Sequence, residues 1–186
     1  TSLFTSSISI GNNEFANNRA NIQKICVTST KYLLPLTAMI RKATYDDIPR
    51  LMDIFRKARC IMRESGNMSQ WNESYPSEEI VRRDIENGHC MVLCEEPDTE
   101  GNMGEVIATM AFIPGPDPTY AVIYDGEWPD DSPYHVIHRI AVAEPGHDAA
   151  RRLLDWGFTQ TGCIRIDTHK DNVIMHHILR KYGFRH

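Results

Sequence analysis

The chain has 186 residues, enough for one domain with a sizeable core, and its 41% apolar and 24% charged residues are ordinary for a globular protein. A formal charge of −5 and the lack of any dense Lys/Arg cluster argue against a nucleic-acid-binding face, which is normally basic. The five cysteines (Cys26, Cys60, Cys90, Cys94 and Cys163) are odd in number and irregularly spaced. They read as reduced thiols of a cytoplasmic protein rather than a disulfide framework or a zinc finger, and no apolar run is long enough to cross a membrane.

Residues 1–38 are rich in Ser, Thr and Asn and carry few charges. They read as an extension outside the core, with the patterned domain at 39–186. Ile40 to Ala43 reads as a short strand. Thr44 and Asp47 form an acidic variant of the capping box. Ile48, Leu51, Met52, Phe55, Ala58 and Met62 recur at helical spacing, which predicts a helix to Glu64, stopped by Ser65-Gly66-Asn67. Met68 to Tyr75 is a loop. A second helix opens at Pro76-Ser77-Glu78-Glu79, with Ser77 as its cap, and stops at Asn87-Gly88.

His89 to Glu95 and Glu105 to Ile113 form the clearest hairpin, joined by a polar loop. Thr119 to Trp128 is apolar and aromatic but interrupted by Asp125-Gly126, and its state stays open. Tyr134 to Val142 is strongly β-prone. Ala149 to Gln160 is helical with Leu153, Leu154 and Phe158 inward, Ile164 to Thr168 is a strand, and Asp171 to Lys181 is a helix stopped by Gly183. The order from Met39 is β-α-α-β-β-(insert)-β-α-β-α, which implies an α/β (α+β) fold, a mixed sheet with helices on both faces.

Counting by twos from Tyr134 puts Val136, His138, Ile140 and Val142 on one face. His138 is a candidate base, since an imidazole titrates in the right range to deprotonate an ammonium; a partly buried histidine with a backbone partner is the alternative. Asp167 and His169 share a face, where a carboxylate beside an imidazole would bind an amine or relay its proton; equally, Asp167 would merely cap the loop. Seven of the eight histidines follow Tyr134, yet His135 and His138 point to opposite faces and His176 and His177 diverge on a helix, so no metal is expected.

This order of elements resembles the GNAT superfamily of acetyl-CoA-dependent N-acetyltransferases over about residues 39 to 186. Three segments carry the resemblance: Met39-Ile40-Arg41-Lys42-Ala43-Thr44-Tyr45-Asp46-Asp47-Ile48 at the opening, Ile140-Ala141-Val142 before a Gly-containing turn and helix, and Ile166-Asp167-Thr168-His169-Lys170-Asp171-Asn172 leading to Lys181-Tyr182-Gly183-Phe184. The resemblance implies a splayed sheet, with Ile140, Ala141 and Val142 pairing with the pantetheine arm of acetyl-CoA and one amide there polarising the thioester. It further implies that Gly146, His147, Asp148, Ala149, Ala150 and Arg151 bind pyrophosphate at a helix start, and that Asn172 touches the cofactor arm or simply caps its helix. The implied reaction is direct acetyl transfer to a primary amine; the alternative is a catalytically weak acyl-CoA-binding or interaction domain.

The sequence departs from the family at two points. Pro145-Gly146-His147-Asp148-Ala149-Ala150 stands where a Gln/Arg-x-x-Gly-x-Gly/Ala pattern is usual, so Asp148, though a good helix cap, brings a carboxylate to an anion site. Leu179 stands where many relatives have a tyrosine acid, and Tyr182, three residues on, is the nearest hydroxyl, with packing in the last turn as its other role. Family sheets also continue after the Gly-Phe pair with a final β-hairpin. Its apparent absence predicts a bare edge on the strand at Ile164 to Thr168, and with it a homodimer or strand-swapped oligomer.

Overall fold

The structure is a computed structural model. It describes residues 40–96, 99–100, 104–121, 128, 131–145 and 148–184, and the backbone course of 19–26. Six strands form one sheet in the order β1-β6-β5-β4-β3-β2: β1 Arg19–Cys26, β2 Ile40–Lys42, β3 Cys90–Cys94, β4 Val106–Pro114, β5 His135–Val142 and β6 Cys163–His169. All neighbours are antiparallel except β5 and β6. Helices α1 (Ile48–Glu64) and α2 (Glu78–Glu86) cover one face, and α3 (Ala149–Gln160) and α4 (Val173–Lys181) the other.

The local chemistry explains these bounds. The Thr44 amide donates to Asp47 at 2.7 Å, closing the capping box ahead of α1. Gly66 follows the C-cap of α1 at φ 88, donating to Arg63 O while the Asn67 amide donates to Met62 O, a Schellman ending that favours glycine. Gly183 ends α4 in the same way and delivers Phe184 into the core.

Two cores follow from the two faces. Leu93, Met110, Ile137, Leu153, Leu154, Ile164, Ile166 and Leu179 pack under α3 and α4, and Leu51, Ile54, Phe55, Val81, Val92 and Trp71 under α1 and α2. Gly157 seats α3 flush on the sheet, because a Cβ there would meet Ile164 Cδ1 at 3.2 Å and Phe112 Cε2 at 3.5 Å.

Two expectations are corrected. The outer edge of β6 is not bare: β1 pairs along it from Arg19↔His169 to Cys26↔Cys163, with a register shift between Ile22 and Ile25. The segment Arg-Ala-Asn-Ile-Gln-Lys-Ile-Cys shows little periodicity, and the ladder offered by β6 supplies what the sequence pattern does not. The second correction concerns the face shared by Val136, His138, Ile140 and Val142. A register shift separates Ala111↔His138 from Thr109↔Ala141, so Arg139 and Ile140 together oppose Met110. This bulge inverts the alternation: Ile137, Ile140 and Val142 pack toward α3 and α4, whereas Ala141 joins the α1–α2 core.

Candidate functional site

The two parallel strands part company. β5 and β6 pair from His135↔Ile164 to Ile137↔Ile166, after which β5 runs on to Val142 and β6 to His169. Beyond the fork β5 stays on β4, through Thr109↔Ala141 and an Ala143 amide that donates to Ile107 O at 2.8 Å. Backbone groups alternate across a strand, so Ala141 and Ala143 face β4. Val142, and Ile140 next to the bulge, turn their N–H and C=O toward the fork. The open backbone expected around Ala141 therefore belongs to its two neighbours.

On the α1–α2 face, at the root of the fork, β5 and the β4–β5 connection build a polar cluster. His138 Nε2 lies 3.0 Å from Asp117 Oδ2, and Nδ1 lies 3.7 Å from Asp167 Oδ1. The Tyr120 hydroxyl donates to Asp167 Oδ1 at 2.7 Å. The hydrogen bond with His138 holds the Asp117 carboxyl well below the usual carboxylate range, against the opposing effect of burial and with help from Thr119. Tyr134 accepts the Asp117 amide through its hydroxyl at 3.1 Å. Its ring also lies 3.7 Å from the Arg165 guanidinium carbon, with Trp128 at 4.1 Å from the same carbon. The imidazole beside Asp167 is thus His138, whereas His169 lies one alternation further along β6.

His169 is buried and faces the α1–α2 connector. Its Nδ1 accepts the Asp171 amide at 3.2 Å, so in the neutral ring Nε2 carries the hydrogen and donates to Ser69 Oγ at 3.3 Å. Asn172 caps α4 by accepting the Met175 amide at 3.0 Å and donates to Gln70 Oε1 at 2.8 Å. Asn67 Nδ2 donates to the same Gln70 oxygen at 2.7 Å. The capping alternative for Asn172 is realised, together with a tether to the connector that sequence spacing does not reveal.

At the α3 end, Gly146 and His147 lie outside the described residues. Asp148 sits at φ 50 and its side chain makes no capping bond; it lies 3.3 Å from Arg151 instead. The expectation that Asp148 caps the helix is therefore wrong, because a left-handed backbone aims its carboxylate away from the first-turn amides of Ala149, Ala150 and Arg151. Leu179 is fully buried, and the Tyr182 hydroxyl donates to Asp155 Oδ1 at 2.7 Å and lies 3.0 Å from Arg151 O, binding α4 to α3. Sequence reasoning missed Asp117, Tyr120, Gln70 and Arg139. Only Asp117 had a local signal, the Gly115-Pro116-Asp117-Pro118 turn, whose Asp accepts the Thr119 amide at 2.8 Å.

Among the described residues no group of three or more His, Cys, Asp or Glu is placed to hold a metal ion, and no helix is long and apolar enough to cross a membrane.

The result is a mixed sheet that forks between its two parallel strands and is bulged on the first of them, an α/β architecture with one strand edge open to a ligand. No model of a known protein family matches the chain, and no curated protein does. Solved structures do match. A GNAT-family acetyltransferase of Streptococcus agalactiae 2603 is 31% identical over 77% of this chain and 83% of that one, with a TM-score of 0.67. Another, of Listeria monocytogenes 4b F2365, is 18% identical over 80% and 86%, with a TM-score of 0.58. A predicted acetyltransferase of Clostridium acetobutylicum, whose structure holds acetyl-CoA, is 21% identical over 80% and 90%, with a TM-score of 0.51. The last two carry the fold alone; the first shows the family. The chain belongs to the GNAT family of acetyltransferases.

Proposed function

We propose that the protein transfers an acetyl group from acetyl-CoA to a primary amine, by direct attack of the amine on the thioester within a ternary complex in the cytoplasm. The observation that carries this reading is the fork beyond Ile137 and Ile166, with one backbone edge of β5 turned into it. An extended pantetheine arm fits such an edge as an added strand, on Ile140 and Val142, with Ala141 holding them against β4. The first turn of α3, without a side-chain cap, fits a pyrophosphate, and Arg151 offsets the Asp148 carboxylate beside it.

Bound acetyl-CoA supplies the activated carbonyl; the protein does the rest. An amide of the open β5 edge, Ile140 or Val142, stabilises the charge developing on the carbonyl oxygen. Asp117 and Asp167 attract the acceptor's ammonium toward the root of the fork, and His138 between them relays its proton. His169 holds the connector through Ser69 and shapes the acceptor side. Since Leu179 is core and Tyr182 is bound to α3, the thiolate leaves without a tyrosine acid; a free thiol with a pKa of about 8.5 tolerates that. Purified protein mixed with acetyl-CoA and a panel of primary amines, followed by release of free thiol, tests the proposal. Turnover with at least one amine is expected. Tight acetyl-CoA binding without turnover on any amine would instead favour the catalytically weak acyl-CoA-binding domain.

A further inference from the structure

The bulge in β5 is formed by an arginine where the backbone favours glycine. Arg139 sits at φ 54, in the left-handed region, and the register shift begins at it. If the bulge were ironed out, Met110 would face Arg139 and every later residue of β5 would slip by one. Ala141 would then turn its N–H and C=O toward the fork and Val142 would turn to β4, while the Ile140 and Val142 side chains would leave the α3–α4 core. The shape of the cleft edge thus depends on one residue staying in a disfavoured conformation.

The Arg139 side chain is held at three points. Nε donates to Asp84 Oδ2 at 2.9 Å, Nη2 donates to Asp84 Oδ1 at 2.9 Å, and Nη1 donates to the Tyr75 hydroxyl at 3.3 Å. Both ends of the ion pair are largely buried, at 12% and 11% side-chain exposure. Asp84 lies in the last turn of α2, whose Schellman ending fixes it further: the His89 amide donates to the Asp84 carbonyl at 2.8 Å. A planar fork meeting a carboxylate through two parallel bonds sets orientation as well as distance, which a point charge on a flexible stem does not.

We propose that Arg139 is the positioning residue of the acyl-CoA cleft: its forked pair with Asp84 and its contact with Tyr75 pin the β5 bulge and so select which backbone groups of Ile140–Val142 line the fork. The proposal rests on reading the fork as the acetyl-CoA site. It makes α2 and the α1–α2 connector part of the cofactor-binding geometry although neither contributes a strand to the cleft.

Two double variants test it, both carrying Asp84→Asn so that no buried carboxylate is left unpaired. Asp84→Asn with Arg139→Gly removes the pair but leaves a residue that adopts positive φ freely; Asp84→Asn with Arg139→Val removes the pair and adds a residue that resists it. The left-handed penalty for a β-branched residue shifts the population of the bulged state by roughly tenfold, and apparent affinity falls with that population. The KM for acetyl-CoA is therefore expected to rise roughly tenfold in the valine protein and to stay within about threefold in the glycine protein. Amide exchange of residues 138–143 reads the edge independently of activity: in wild type and the glycine protein Val142 exchanges faster than Ala141, and in the valine protein the order reverses. Equal KM and exchange order in the two variants would mean that the cleft edge does not depend on the backbone state of residue 139, and that result overturns the proposal. Arg139→Lys, which keeps the charge but not the fork, tests the pair itself by the same readouts and also decides should either double variant fail to fold; an unchanged acetyl-CoA KM and exchange order overturn the proposal. Wild type that fails to bind acetyl-CoA sinks the functional reading alone, while the exchange order still judges the role of Arg139.

Discussion

Replacing Asn172 separates two tasks that one side chain performs. Its Oδ1 accepts the Met175 amide and its Nδ2 donates to Gln70, and the residue is buried. Asn172→Ala removes a helix cap worth about 1 kcal/mol. It also removes a neutral hydrogen bond worth about 1 kcal/mol net. Gln70 Oε1 keeps its bond from Asn67, so no buried acceptor is orphaned and no further penalty arises. The sum is about 2 kcal/mol, or roughly 4–8 °C in Tm for a chain of this size. Asn172→Asp keeps the acceptor and gains roughly 0.3–1 kcal/mol from a negative charge at a helix start. It sets a carboxylate against the Gln70 oxygen, so stability changes little while the connector loosens. Urea unfolding of Asn172→Ala, Gln70→Ala and the double variant, with the slope checked for constancy, measures the tether alone as a coupling of about 1 kcal/mol. A coupling indistinguishable from zero, or a loss below about 0.5 kcal/mol for Asn172→Ala, would refute this account.

Three further outcomes are expected. Asp117 is depressed by its hydrogen bond with His138, so its contribution to stability is complete above the ordinary carboxylate range and is lost as pH falls below about 4 toward its lower folded value; the stability gap between wild type and Asp117→Asn, read by urea unfolding at pH 7 and pH 3, should narrow at the acid end. Burial pushes the Cys90 thiol up to about 11, while Cys60 is exposed. A thiol reagent at pH 8 should therefore label Cys60 in the native protein and Cys90 only after unfolding, as peptide mass mapping would show. Leu179 is fully buried in the α3–α4 core, so Leu179→Ala should lose about 2–5 kcal/mol in denaturant unfolding.

The parts of the fold that were legible in the sequence rest on local periodicity. The stripe of Ile48, Leu51, Phe55 and Ala58 marks the buried side of α1, although Met52 and Met62 are only partly covered and Ile54, unmarked by the stripe, is fully buried. The hairpin β3–β4 and the bounds of α3 follow their patterns closely. What failed depends on backbone state or on distant partners. No glycine announces the bulge, because the left-handed position is held by an arginine whose anchor, Asp84, lies 55 residues away. Of the segment left open, Thr119 to Trp128, residues 122–127 lie outside the described residues, and its start falls in a 3-10 turn at Pro118–Tyr120; the contacts made there, Asp117 to His138 and Tyr120 to Asp167, span 21 and 47 residues. Parity placed Asp167 and His169 on one face, but strand neighbours of equal parity lie too far apart to share a proton, and each found another partner.

The root of the fork is a solid three-way joint: α3 rests through Gly157 on Ile164, Phe112 and Ile137, leaving no slack at the point from which the strands diverge. Close packing at that point resists displacement, so the aperture is expected to keep its width with or without an occupant. An incoming chain would then slot into a ready-made channel rather than prise one open, and its arrival rate would be governed by diffusion and alignment instead of by the tempo of the protein's own rearrangement.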